Sequence, residues 1–183
     1  MSLIDTIVAS REFAIRAHGS QKYGEHPYVV HLDEVADLVL FECLQTTFAG
    51  ESASALALDA VPVAYVHDVL EDTKVTSAEI ESKLGKTVAV CANLLADPPG
   101  ENRRERKALL HARLAKLELP VLIDRIVLVV KACDRLANVR RSASGNPSLL
   151  KMYREEAEAF SAAVRRPGLC QRVWKELDSL CPM

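Results

Sequence analysis

The segment Ala64-Tyr65-Val66-His67-Asp68-Val69-Leu70-Glu71-Asp72-Thr73 sets four ionisable side chains at the end of one of the most apolar stretches of the chain. Read as helix, it places His67 one turn from Glu71 and Asp68 one turn from Asp72, so all four share one broad face. Burying such a face unpaired costs several kcal/mol per charge. A divalent metal would compensate, with His nitrogen and Asp oxygen as ligands and Glu71 and Asp72 left to handle a proton. The same residues would also serve as an exposed polar helix end that caps the next helix. Two further segments bear on the choice. In Lys131-Ala132-Cys133-Asp134-Arg135-Leu136-Ala137-Asn138-Val139-Arg140, Asp134 and Asn138 are helical neighbours after a second apolar run, with Lys131 one turn before Asp134. Pro27-Tyr28-Val29-Val30-His31-Leu32 puts His31 at the start of an apolar helix. Taken singly, Asp134 reads as an ion-pair partner of Arg135 or Lys131, and His31 as a helix-start or core histidine. Together the three segments supply two His and two Asp, a complete set for a mononuclear metal site.

These side chains need helices to hold them, and the punctuation of the chain predicts helices throughout. Ile4, Ile7, Val8, Ala14, Ile15 and His18 fall on one helical stripe after a weak Ser2/Asp5 cap, and residues 19–27 read as a loop. Helical spacing resumes with Leu32, Val35, Ala36, Val39 and Leu40. Residues 52–70 predict a helix that is apolar on nearly all sides, hence buried, with Pro62 marking a kink or a new start. Thr76-Ser77-Ala78-Glu79 is a capping box opening a short helix that stops at Gly85. A helix over 87–95 ends at Asp97-Pro98-Pro99-Gly100, and Leu109, Leu110, Leu114 and Leu117 mark another, closed by Pro120. The run Ile126 to Val130 is β-branched enough for a strand. Residues 121–141 are long, however, and no second strand-like run exists to pair with them, so they are assigned to helix. Two amphipathic helices, about 148–164 and 170–180, complete an all-α chain.

With 183 residues, 49% hydrophobic and 26% charged, the chain is sized for one domain over 1–183 and is not of disordered or low-complexity type. A net charge of -2 and a pI near 6.2 argue against a nucleic-acid or membrane-surface partner. Five cysteines without a CxxC pair argue against a disulfide framework or a cysteine zinc site and fit a reducing cytoplasm. Asp5, Arg11, Glu12 and Arg16 speak against a signal-peptide core. Asp59 and Asp124-Arg125 interrupt the two most apolar stretches before either reaches a membrane span. The dense basic run Arg103-Arg104-Glu105-Arg106-Lys107 reads as a solvated helix face. It would also serve, with Arg103, Arg106 or Lys107 at the mouth of the site, to grip phosphates.

The order His31, His67-Asp68, Asp134 resembles the HD-domain metal-dependent phosphohydrolases. Within that superfamily, His67-Asp68-x-x-Glu71-Asp72-Thr73 and Lys131-x-x-Asp134-Arg135-Leu136-x-Asn138-x-Arg140 resemble the hydrolase domain of RelA/SpoT proteins and their small stand-alone relatives, which hydrolyse (p)ppGpp. Ala17-His18-x-x-Gln21 and Gly24-x-x-Pro27-Tyr28-x-x-His31 match the same family's opening, so the resemblance runs from about residue 10 to 141, with the helices at 148–180 beyond it. It implies a single-domain HD-type helical bundle. It also implies that His31, His67, Asp68 and Asp134 are ligands of a divalent metal, usually Mn2+ in that branch. Glu71 and Asp72 would be the catalytic acidic pair acting on the attacking water, and Lys22, Tyr28, Arg106 and Asn138 would bind substrate. The implied reaction releases pyrophosphate from the ribose 3′ position of guanosine-3′,5′-bis(diphosphate). A phosphohydrolase acting on NADPH or a deoxynucleoside monophosphate, or a non-catalytic nucleotide-binding module, are the alternatives. The expected partner is a nucleotide small molecule in the cytoplasm, with a homodimer left open. The chain departs from the family pattern in its loop, where Tyr23 stands at a position expected to be basic, and at Leu32 and Arg141, where proline and threonine are usual.

Overall fold

In the computed structural model, which describes residues 3–45 and 53–182, the chain begins with α1 (Leu3–His18), the hairpin β1 (Lys22–Tyr23) and β2 (His26–Pro27), and α2 (Val29–Gln45). It continues through α3 (Ala53–Val66), α4 (Val69–Asp72), α5 (Ser77–Leu84), α6 (Lys86–Leu95) and α7 (Arg103–Leu114). It closes with α8 (Leu122–Gly145), α9 (Pro147–Glu155), α10 (Ala157–Val164) and α11 (Gln171–Leu180). The all-α expectation holds: among the described residues the only strands are the two of the hairpin, paired Lys22 to Pro27 and Tyr23 to His26. The Ser2 cap and the helix start at Ser52 lie outside the described residues. Among the described residues, no helix is long and apolar enough to cross a membrane.

The bundle is organised around α8. Its β-branched run Ile126-Val127-Leu128-Val129-Val130 is helical and fully buried. The reason is tertiary: α8 packs on α2, α3, α6, α9 and α11, so every side of the run meets another helix and no polar stripe is needed. Burial of such side chains contributes about 1.5–3 kcal/mol each. Facing them are Leu32, Val35 and Val39 of α2 and Ala60, Val63 and Ala64 of α3, all 0% exposed. The capping box at α5 forms as expected, Glu79 N donating to Thr76 Oγ1 at 3.3 Å and Thr76 N to Glu79 Oε2 at 2.8 Å.

At Pro62, where the sequence allows a kink or a new start, no new helix begins and the proline sits inside α3; the buried neighbours Val61, Val63, Ala64 and Val66 offset the ladder bond its missing N–H forgoes. Two boundaries differ from the periodicity. The helix expected over 52–70 instead breaks at His67-Asp68, between α3 and α4. There the His67 ring Nδ1 lies 2.7 Å from the Ala64 carbonyl, the acceptor that Asp68 N–H would need to continue the helix. Asp68 becomes the N-cap residue of α4, its carbonyl accepting from Asp72 N at 2.9 Å. The helix expected over 148–164 is likewise divided at Glu156 into α9 and α10.

Candidate metal centre

Four side chains from three places in the sequence converge where α2, the α3–α4 break and α8 meet. His31 stands in the first turn of α2, where its N–H reaches the Tyr28 carbonyl at 3.0 Å, and its side chain is 1% exposed. Its Nε2 lies 3.5 Å from Asp134 Oδ1 and 3.6 Å from Asp68 Oδ2. The His67 Nε2 lies 3.0 Å from Asp68 Oδ2 and 3.5 Å from Asp134 Oδ1. One ligand atom from each of the four falls within 4.8 Å of all the others. His67 Nε2 is buried yet makes no hydrogen bond, because its approach to the carboxylates is poorly aligned for one. A buried nitrogen left without a partner, facing two carboxylate oxygens, fits a divalent cation at the centre of the cluster.

The electrostatics agree with that fit. Burial lowers the His67 pKa, but Asp68 and Asp134 outweigh it and hold it well above the usual value. Burial also raises the Asp68 carboxyl, while His67 and His31 pull it well below the usual carboxylate range. For Asp134, Lys131 and the two histidines overcome the same burial effect in the same direction. The cluster is therefore a concentration of buried negative charge that attracts protons or a cation.

A second layer holds the carboxylates in place. Tyr28 Oη donates to Asp68 Oδ2 at 2.5 Å, and the Tyr28 ring stacks on His18 with centroids 4.3 Å apart. His18 Nδ1 is 2.9 Å from Gln21 Oε1, and Gln21 Nε2 donates to Asp72 Oδ2 at 2.8 Å. On the other side, Asn138 Nδ2 donates to Asp134 Oδ1 at 2.5 Å, and Lys131 Nζ is 3.2 Å from Asp134 Oδ2. Lys131 is buried, which alone would lower its pKa, but Asp134, Glu71 and Asp68 raise it and keep it charged. Tyr23 of the hairpin stacks on His31 with centroids 4.6 Å apart and donates to Asn138 Oδ1 at 3.2 Å. Carboxylates braced in this way have a fixed orientation.

The cluster opens into a cavity of about 120 Å³, whose lining includes Asp68, Asp134 and Glu71 together with Arg103, Lys107 and Arg135. Glu71 Oε1 accepts from Asp97 N at 3.1 Å, and burial raises its pKa, with Lys131 opposing and Asp68 adding. Lys107 Nζ is 2.7 Å from Asp97 Oδ1. Glu156, at the break between α9 and α10, binds Arg103 through two bonds of 3.2 and 3.3 Å and Arg135 through one of 3.1 Å. The Arg135 guanidinium also lies between the rings of Phe160 and Tyr153, 4.3 and 4.7 Å from their centroids. The result is a set of positioned cations sharing the cavity with the acidic cluster, an arrangement suited to a polyphosphate.

The structure thus gathers His31, His67, Asp68 and Asp134, and brings Glu71, Tyr28 and Asn138 to the same cavity. Tyr28 and Asn138 donate to the carboxylates of the cluster. Asp72 is absent from the cavity lining and is held by Gln21. Lys22 is exposed on β1, and Arg106 Nε lies 3.7 Å from Asp97 Oδ2, outside the lining. Sequence reasoning missed Arg135, His111, Tyr153 and Phe160 as lining residues. His111 packs on Phe160, and burial, then Arg135, lowers its pKa.

A helical bundle that joins two His and two Asp in one cluster is consistent with the HD-domain resemblance of the sequence. The chain shares its fold with a solved structure of a metazoan ortholog of SpoT, described as hydrolysing ppGpp, at a TM-score of 0.75 and 21% identity over 96% of this chain and 93% of that one. No family model matches the chain. Among curated proteins, it is 30% identical over 170 residues to the GTP pyrophosphokinase rsh of Brucella ovis, covering 92% of this chain and 21% of the relative. It is 25% identical over 179 residues to the guanosine-3′,5′-bis(diphosphate) 3′-pyrophosphohydrolase of Vibrio cholerae, covering 97% and 24%. The relatives are thus RelA/SpoT-type (p)ppGpp synthases and hydrolases, and the chain spans about a fifth to a quarter of their length.

Proposed function

We propose that the protein is a metal-dependent phosphohydrolase that releases pyrophosphate from the ribose 3′ position of guanosine-3′,5′-bis(diphosphate). The observation that carries this reading is the buried cluster with its unpartnered His67 Nε2, in one cavity with Arg103, Lys107 and Arg135. His31, His67, Asp68 and Asp134 would hold a divalent cation, with Mn2+ the expected ion. Such a cation supplies Lewis acidity that offsets charge on the phosphoryl oxygens and makes a nearby water more acidic. Glu71 takes the proton of the attacking water; its raised pKa brings it closer to neutral pH, where a general base works best. As the new P–O bond forms, the bond from phosphorus to the ribose 3′ oxygen breaks, and that oxygen regains a proton from Glu71 or solvent. Arg103, Lys107, Lys131 and Arg135 hold the departing pyrophosphate, and Asp72 keeps Gln21 and the hairpin in place. Lys22 and Arg106 stand outside this path and would meet only the outer part of a long substrate. The RelA/SpoT relatives and the intact HD motif support the same substrate class.

The test is Mn2+-dependent turnover of guanosine-3′,5′-bis(diphosphate), NADPH and deoxynucleoside monophosphates, with products resolved by chromatography. Pyrophosphate from the first alone, lost in Glu71→Gln while metal content persists, is the expected result. Turnover of another nucleotide with the first untouched, or metal lost in Glu71→Gln, overturns the assignment.

A further inference from the structure

The permanent cations of the metal-side cavity are already balanced from within the protein. Glu156 lies against Arg103 and Arg135, Asp97 against Lys107, and Asp134 against Lys131. His111 is the exception. It lines the same cavity from α7, one turn beyond Lys107. Its ring packs on Phe160 of α10, with centroids 6.0 Å apart and planes inclined at 65°. Among the described residues, no carboxylate forms an ion pair with it. The charges acting on it are Lys107 of its own helix, Lys131 and Arg135 of α8, and Glu156 of the α9–α10 break. Arg103, Glu71, Asp68 and Asp134 complete the charged lining of the cavity. Burial, then Arg135, holds the His111 imidazole below its ordinary value of 6.5, and Glu156 opposes this. In the free protein the ring is therefore neutral at pH 7.

We infer that His111 is a further phosphate-binding residue of this cavity, neutral while the cavity is empty and held as imidazolium by the polyphosphate that enters. The inference rests on the reading of the cavity given above and adds how pH governs its hold on substrate and product. The cations that keep the ring neutral are the ones an incoming polyphosphate neutralises. Once the anion is in place, the field at His111 reverses. An imidazolium carries two N–H donors, and its hydrogen bond to a phosphate oxygen is charge-assisted. Arg103, Lys107, Lys131 and Arg135 share their donors between phosphate and carboxylate, whereas His111 has no such partner to leave. Binding therefore takes up a proton, and the ring returns it to solvent as pyrophosphate departs. The hold tightens as pH falls through the range where the ring titrates and relaxes above it.

The experiment measures Kd for inorganic pyrophosphate by calorimetry at pH 6.0 and 8.5 on the wild type, His111→Gln and His111→Arg. Saturating Mg2+ is used, so that histidine resonances can be followed by NMR on the same samples. The titration of pyrophosphate itself is common to all three proteins and cancels in their ratios. At pH 6.0 the wild type binds about five- to tenfold more tightly than His111→Gln, and at pH 8.5 the two agree within about twofold. His111→Arg, which cannot lose its charge, binds more tightly than the wild type at pH 8.5. The His111 resonance, assigned by its absence from either variant, titrates at higher pH once pyrophosphate is added. In turnover of the guanosine substrate, His111→Gln raises KM at pH 6.0 but not at 8.5, and kcat stays within about twofold; a merely structural role would not give that split. Should His111→Gln fail to fold, the wild-type resonance and His111→Arg carry the test. A wild-type-to-variant ratio independent of pH, or a His111 resonance indifferent to pyrophosphate, overturns the inference and leaves the proposed hydrolysis standing. Proton-linked pyrophosphate binding without hydrolysis of guanosine-3′,5′-bis(diphosphate) overturns the reaction and supports His111 as a phosphate contact.

Discussion

Replacing Tyr28 by Phe removes one hydroxyl and leaves the ring on His18. The hydroxyl donates to Asp68 Oδ2 at 2.5 Å, the same oxygen that approaches both His31 and His67. A hydrogen bond to a charged group contributes about 1.5–3 kcal/mol, and loss of an outer partner of a metal ligand typically weakens metal binding roughly 10- to 100-fold. The two figures coincide, since each factor of ten corresponds to about 1.4 kcal/mol. At a Mn2+ concentration above both dissociation constants, the variant should be stabilised by the metal about 1.4–2.7 kcal/mol less than the wild type. For a chain of this size that is a metal-induced rise in Tm smaller by roughly 3–11 °C. Thermal unfolding with and without Mn2+, together with calorimetric titration of the metal, measures it directly. With metal saturating, KM for the nucleotide should change by less than about threefold. Unchanged metal affinity combined with a large rise in KM would refute the reasoning and make Tyr28 a substrate contact instead.

Two further outcomes follow from the scaffold. Leu128→Ala opens a cavity in the fully buried run of α8 and should cost about 3 kcal/mol, read as a lower urea midpoint; a loss below about 1 kcal/mol would mean α8 is not the centre of the core. Glu176 is held below its ordinary pKa of 4.5 by its hydrogen bonds from Arg140, so the native state binds fewer protons there than the unfolded chain. Its contribution is complete above that ordinary value and fades as pH falls through the lower native one. Glu176→Gln should therefore flatten the acid side of the stability curve, and an unaltered slope between wild type and variant counts against the pairing.

The parts of this protein that local chemistry dictates could be read from the sequence. Thr76 and Glu79 cap one another within four residues, and the apolar runs before His67 and Asp134 announce buried helices ending in polar groups. What escaped depends on partners distant in the chain. The break at His67-Asp68 arises because an imidazole competes for a backbone carbonyl, which no periodicity records. Arg103, Arg106 and Lys107 look alike in sequence, and only the orientation of α7 against Asp97 and Glu156 sends Arg103 and Lys107 to the cavity and Arg106 aside. Arg135 follows Asp134 directly, yet its place is set by Glu156, Tyr153 and Phe160, all at least eighteen residues further on. The hairpin strands of two residues are too short to leave an alternating pattern.

The helix α8 has different freedom along its length. From Arg125 to Ala137 it is buried throughout, whereas Arg141 and residues 143–145 reach solvent. Asp134 therefore sits where almost any substitution also threatens folding, and Arg141 sits two turns later where substitution is structurally cheap. Drift within such a chain is channelled: change in the buried half of α8 is tied to the survival of the fold, while its exposed end is free to change one side chain at a time.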